Sequence, residues 1–302
     1  MPILRALESI RTPFLDAIFS AITYLGDETI LIVVVLFMLW CIDKRKGYCI
    51  FFIGTIGTAA NQLLKAIFLI PRPWLLDDSF TIVESARSGA TGYSFPSGHT
   101  QSATGIFLTF AAWLKCKWAR ALFILAILLT AFSRMYLGVH TPQDVVVSLA
   151  TGLLSVWFGI WAFKKIKNST LQYIALGSVV ALVVYLLLWP KGASNVPEFD
   201  AHGLESAYTL LGATIGLVIA WIVDEKYIHY DIKAVWWAQA LKFVIGLVLL
   251  LAIKSLLKAP LNSLFNGSPA ANCLRYCLIV LFGALAWPLT FRFWGSLGNN
   301  VK

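Results

Sequence analysis

Apolar runs of about 20 residues, the length that crosses a bilayer as a helix, recur along the chain and are cut by short polar clusters. Residues 2–12 place Ile3, Leu4, Leu7 and Ile10 at helical spacing with Arg5, Glu8 and Arg11 elsewhere, which predicts a short helix in the membrane interface. Phe14 to Tyr24 continues that helix or packs partly into the membrane. Nine spans are then expected, near residues 29–42, 48–70, 97–114, 118–137, 142–163, 171–188, 206–223, 238–257 and 275–291. The pattern predicts an all-α polytopic membrane bundle in three parts: an interfacial N-terminal segment (1–28), a core of spans 1–5 (29–165) and C-terminal spans 6–9 (166–302). Gly212 and Gly216 form a GxxxG, a close-packing face for a neighbouring helix.

Composition agrees. The chain is 59% hydrophobic and 13% charged over 302 residues, far more apolar than a water-soluble domain. No cleavable leader pattern is read at the start, so the first span is expected to serve for insertion. A net charge of +9 raises the question of nucleic acid, and its distribution answers it. Lys44-Arg45-Lys46, Lys115/Lys117/Arg120 and Lys164/Lys165/Lys167 gather nine of the 24 basic residues between spans, the pattern of cytoplasmic loops. That places the N-terminus outside, the C-terminus inside and loops 71–97 and 134–144 together on the outer face. Cys41, Cys49, Cys116, Cys273 and Cys277 form no spaced framework and read as packing residues.

The charges inside this apolar pattern then need an explanation, because an ionisable group at membrane depth is costly. They fall in three groups: Lys65-x6-Arg72-Pro73, Pro96-Ser97-Gly98-His99 and Ser133-Arg134-x5-His140-x3-Asp144. Thr141-Pro142 reads as a helix start, with His140 just before it and Asp144 in its first turn. Asp144 alone would be taken for half of a capping box with Thr141. Beside His140 and Arg134 it reads as the carboxylate that fixes an imidazole tautomer and leaves the other ring nitrogen for attack. Ser97 and Gly98 open a helix N-terminus, an anion site, and His99 there can protonate a departing oxygen. In isolation a serine cap beside an interfacial histidine is the simpler reading of those four residues. Lys65 taken singly is a snorkelling lysine and Arg72 a loop charge, whereas Arg134 interrupts an apolar helix. Three fixed cations suit a phosphoryl group. No metal cluster and no cofactor motif is read, and His202 and His229 read as surface residues in loops.

These residues resemble the three-part signature of the type-2 phosphatidic acid phosphatase and vanadium haloperoxidase superfamily. Lys65, Arg72, Pro73, Pro96, Ser97, Gly98, His99, Ser133, Arg134, His140 and Asp144 match it without a departure. The resemblance implies His140 as a nucleophile forming a phosphohistidine, Asp144 orienting it and His99 as the acid. It implies Lys65, Arg72, Ser97, Gly98 and Arg134 as phosphate ligands, with no metal required. The layout is similar to the glucose-6-phosphatase and sphingosine-phosphate phosphatase branch, although the latter enzymes usually carry threonine where Gly98 stands. The expectation is a phosphoric ester hydrolase or diphosphatase in a cell membrane, acting at its extracytoplasmic face. Its partners would be a phosphorylated lipid substrate and membrane lipids, with no nucleic acid. A soluble sugar phosphate, a transporter or flippase that only binds, and a vanadate-dependent oxidase are the other readings.

Overall fold

The computed structural model describes residues 1–188 and 197–297, and every regular element among them is helical. The chain opens with α1 (Pro2–Ser9), α2 (Pro13–Thr23) and α3 (Glu28–Phe37). Prolines at the starts of α1 and α2 begin them where a missing N–H costs nothing. Next come α4 (Lys44–Phe68), the short α5 (Pro73–Leu76), α6 (Gly98–Ala103) and α7 (Thr109–Trp113). The remaining helices are α8 (Lys117–Tyr136), α9 (Pro142–Lys165), α10 (Asn168–Leu188), α11 (Pro197–Val223), α12 (Trp236–Leu256), α13 (Lys258–Leu264), α14 (Pro269–Leu281) and α15 (Phe291–Ser296).

Seven helical stretches among the described residues are long and apolar enough to cross a membrane. An eighth arises if Pro13–Gly26 and Glu28–Ile42, bent by 49° at Asp27, make one broken span. The nine expected spans differ from this at two places. The first expected span is long enough to cross only when joined to Pro13–Gly26 across that bend. The third is a continuous helical run from Gly98 to Trp113 through a π-helical turn at Thr104–Leu108. At 1.5 Å per residue it is about 24 Å long, short of a hydrocarbon core of roughly 30 Å. Ser97 caps its start, and extended Leu114 ends it before basic Lys115.

Contacts divide the chain into two compact units. The first comprises residues 1–31, 53–165 and 185–203. In it α1 and α2 pack on α8, while α6 packs on α8, α9 and the turn Tyr24–Gly26. The N-terminal segment is therefore fastened to protein on one side. Arg11 donates to the carbonyls of Tyr136 (2.9 Å) and Thr81 (2.7 Å), Tyr136 donates to Asp16 (2.8 Å), and Leu4 is fully buried. Phe80 is buried with the guanidinium groups of Arg5 and Arg11 each 5.4 Å from its ring. Arginine stacks well on an aromatic face.

The second unit comprises residues 32–52, 166–184 and 204–302. Its interior is aromatic and closely packed. Trp40 is fully buried and its indole donates to the Gly283 carbonyl at 2.7 Å, while Tyr48 stacks on Trp221 at 4.4 Å. Gly212 and Gly216 face the backbone carbonyls of Cys273 and Cys277, and a Cβ on Gly212 would collide with the first of these. The GxxxG thus forms a contact between α11 and α14.

Candidate active site

The end of α4 sets the first cation. Leu69 takes a left-handed backbone (φ +50°) and Pro71 and Pro73 follow, so the helix cannot run on. Lys65, in the last turn, donates to the Tyr93 carbonyl rather than snorkelling to water. Arg72, between the prolines, is buried and held by three neutral carbonyls: Gly92 at 2.9 Å, Thr91 at 2.8 Å and Val139 at 3.0 Å. Its Nη1 also lies 2.9 Å from His140 Nε2.

His140 precedes α9, with its backbone N–H given to the Arg134 carbonyl at 3.3 Å. On the other side of the ring, Nδ1 is 3.4 Å from Asp144 Oδ2 and 3.5 Å from Ser94 Oγ. That same carboxylate oxygen accepts from Ser94 Oγ at 2.6 Å and from the Thr141 N–H at 2.7 Å. Asp144 N–H in turn donates to Thr141 Oγ1 at 3.3 Å. Asp144 thus closes the capping box and faces the imidazole at once. A proton on Nδ1 facing Asp144 leaves the Nε2 lone pair toward Arg72, a tautomer assigned from this network. Burial pushes the His140 ring well below the ordinary histidine range, and Arg72, Arg134, Lys65 and His99 push it the same way. Both effects favour the neutral ring.

Ser97 is buried and caps α6, accepting from the Thr100 N–H (3.4 Å) and hydroxyl (3.1 Å), so its own hydrogen is available to donate. Its N–H donates to the Asp144 carbonyl at 3.2 Å, tying the start of α6 to the first turn of α9. No protein atom stands within 4 Å of where a Cβ on Gly98 would be, so packing does not demand that glycine. His99 follows, half-buried, and the charges acting on it are those of Arg134, Asp27, Arg72 and Lys65.

Arg134 is 1% exposed in the last turn of α8. Its Nη1 donates to Thr23 Oγ1 at 2.7 Å, while Nε and Nη2 have no protein partner. Leaving a charged donor buried and unsatisfied costs about 1–3 kcal/mol or more. Two such donors on a guanidinium are what an oxyanion would satisfy.

The structure thus brings Lys65, Arg72, Ser97, Gly98, His99, Arg134, His140 and Asp144 from the ends of α4, α6, α8 and α9 to one place. It adds residues that the sequence pattern did not single out. Thr23 holds Arg134 from α2, and Ser94 joins Asp144 to the ring. Gly26 packs so tightly on the His99 backbone that any Cβ would collide with it. A threonine inside the apolar stretch 14–24 was the one visible hint. Asp27 caps α3 through the Thr29 N–H at 2.8 Å, as expected of an acid at a helix start. His202, expected in a loop, lies on α11 with Nε2 2.9 Å from Thr91 Oγ1, whereas His229 is an exposed left-handed residue.

Comparisons with known proteins bear on this arrangement. The family described as PAP2 superfamily matches residues 46–168, and that described as PAP2 superfamily phosphatase, transmembrane extension, matches residues 208–298. A protein of Dictyostelium discoideum named probable sphingosine-1-phosphate phosphatase is 26% identical over 73% of this chain and 56% of its own length. Phosphatidylglycerophosphatase B of Bacillus subtilis is 28% identical over 54% of this chain and 83% of its own. Human glucose-6-phosphatase 3 is 26% identical over 72% and 65%. The chain spans about half the length of several curated relatives. No solved structure matches it. Two matched segments, one over the residues that build this site and one over the helices that follow, make this integral membrane protein a member of the PAP2 superfamily.

Proposed function

We propose that the protein hydrolyses a phosphomonoester or diphosphate of a lipid at the non-cytoplasmic membrane face, through a phosphohistidine on His140. One observation carries the reading. His140 Nε2 faces Arg72 while Asp144 and Ser94 take the opposite side of the ring, as an in-line attack on a cation-held phosphoryl group requires. Nε2 attacks phosphorus, the N–P bond forms, and the ester P–O bond breaks as His99 gives its proton to the leaving oxygen. The resulting phosphoimidazolium keeps its Nδ1 proton toward Asp144. Water then attacks phosphorus, His99 takes its proton, the N–P bond breaks and orthophosphate leaves. Lys65, Arg72, Ser97, the Gly98 backbone and Arg134 carry the equatorial oxygens.

A lipid fits because Leu75 and Leu76, two and three residues beyond Pro73, are about half exposed and offer an apolar approach. The names of two relatives, probable sphingosine-1-phosphate phosphatase and phosphatidylglycerophosphatase B, favour a lipid as well. Glucose-6-phosphatase 3 favours a sugar phosphate, the second reading. The three basic clusters support placing the site outside the cytoplasm. Purified protein should release orthophosphate from lipid phosphates faster than from sugar phosphates, and acid-labile phosphoprotein should be trapped at early times. Release from sugar phosphates alone would reassign the substrate. Vesicle transport without hydrolysis would make the site a transporter's.

A further inference from the structure

Two cations of the site, Lys65 and Arg72, are held by no carboxylate among the described residues. They are held by consecutive main-chain carbonyls: Thr91 and Gly92 accept from Arg72, and Tyr93 accepts from Lys65. Gly92 sits at φ +67°, a conformation open to glycine at little cost, as the strap turns. Carbonyls of a loop hold their direction only if the loop is itself fixed. Here the side chains of the same residues leave the cations and reach α11. Thr91 Oγ1 lies 2.9 Å from His202 Nε2, with one of them donating. Tyr93, buried, donates its hydroxyl to Asp200 Oδ1 at 3.0 Å, and its ring meets Phe199 edge-on at 5.2 Å. A Cβ on Gly92 would press on His202 Cδ2 at 3.1 Å, so the helix and the strap are in close contact.

We propose that Asp200 and His202 are positioning residues: they latch the 91–93 strap to α11 and thereby fix where Lys65 and Arg72 meet the phosphate. The inference rests on the phosphatase reading and extends it to the first turns of α11. It gives the helix that runs into the transmembrane extension a part in phosphate binding.

The test uses Thr91→Val, His202→Ala, His202→Gln, Tyr93→Phe and the Thr91→Val/His202→Ala double variant, with orthovanadate as probe. Thr91→Val and His202→Ala should each raise the vanadate inhibition constant and KM about tenfold, the scale expected when a charged group loses its position. The double variant should be no worse than either single one, because both break the same bond. Tyr93→Phe should shift the same constants in the same direction, and His202→Gln, which can still bond Thr91, should recover most of the loss. Mere loss of folded protein would lower kcat and leave the inhibition constant unmoved, which would overturn the assignment. Unchanged constants in Thr91→Val and His202→Ala, in a wild type that releases phosphate and a His140→Ala that does not, would sink the latch and leave the function standing. If wild type released no phosphate from any substrate, the function would fail instead. The latch would then be judged by the thermal stabilisation that orthophosphate gives, smaller in His202→Ala if it holds and equal if it does not.

Discussion

Lys44 in the second unit and the site cations of the first are held in opposite ways. In the second unit, Lys44 meets the buried carboxylate of Asp224 at 2.8 Å, the Tyr230 carbonyl at 2.8 Å and the Tyr230 ring at 3.9 Å. That charge has its own carboxylate partner. In the first unit, Lys65 and Arg72 are held by carbonyls and Arg134 by one hydroxyl, and Arg134 keeps two donors without a partner. Asp144, the carboxylate that acts on Lys65 and Arg72, is already engaged by Ser94, Thr141 and the His140 ring, while Asp27 acts on Arg134. Neutral acceptors orient a cation without cancelling it, so the first unit retains a positive potential that an anion can use. Lys44 with its own carboxylate is a fastening, whereas the site cations, oriented by dipoles, keep charge to offer.

The largest contrast should come from His140→Ala. It should cut phosphate release by about 10⁴-fold or more and abolish acid-labile labelling, with the protein still folded in detergent. Turnover near wild type would refute the nucleophile. Arg134→Ala comes next, at about 10²–10³-fold in kcat/KM, as for loss of one preorganised donor group. A loss of threefold or less would show that its unpartnered donors play no part.

The third prediction concerns pH. Since His140 is held below the ordinary histidine value and acts when neutral, the acid limb of kcat/KM should lie below pH about 6.5, with the opposite limb set by His99 as the acid. Arg134→Ala removes a charge that disfavours the imidazolium, so the acid limb of its residual activity should move upward. An acid limb above pH 7 in wild type, or one that moves downward in the variant, would contradict the electrostatics described. The smallest effect on rate belongs to Lys44→Ala. It strands Asp224, which is 3% exposed, and should cost about 1–3 kcal/mol of stability while kcat/KM stays within twofold. If its kinetics collapsed as those of Arg134→Ala do, the contrast between the two units would be lost.

How much of this was legible in the chain depends on whether a contact is local. The Thr141–Asp144 box lies within one helical turn, and its spacing alone announced it. The three polar clusters were legible because a charge in an apolar run is conspicuous, and helix ends alternate sides. The holders of those charges left little trace. Thr23 meets Arg134 across 111 positions, and Thr91, Gly92 and Tyr93 serve through main-chain oxygens that every residue carries. His202 was misread because its role depends on where α11 starts. The nine expected spans and the seven or eight candidate stretches part where hydropathy does not register the bend at Asp27 or the short run from Gly98 to Trp113.

Asp144 Oδ2 accepts from the first N–H of a helix cap, from Ser94 and, at longer range, faces the His140 ring. A single atom thus serves as hinge pin for three moving parts. Fraying at the start of α9 would be felt as lost chemistry before it was felt as lost structure. Drift at this position is therefore doubly constrained: amide or alanine would slacken the cap and misalign the imidazole in the same stroke.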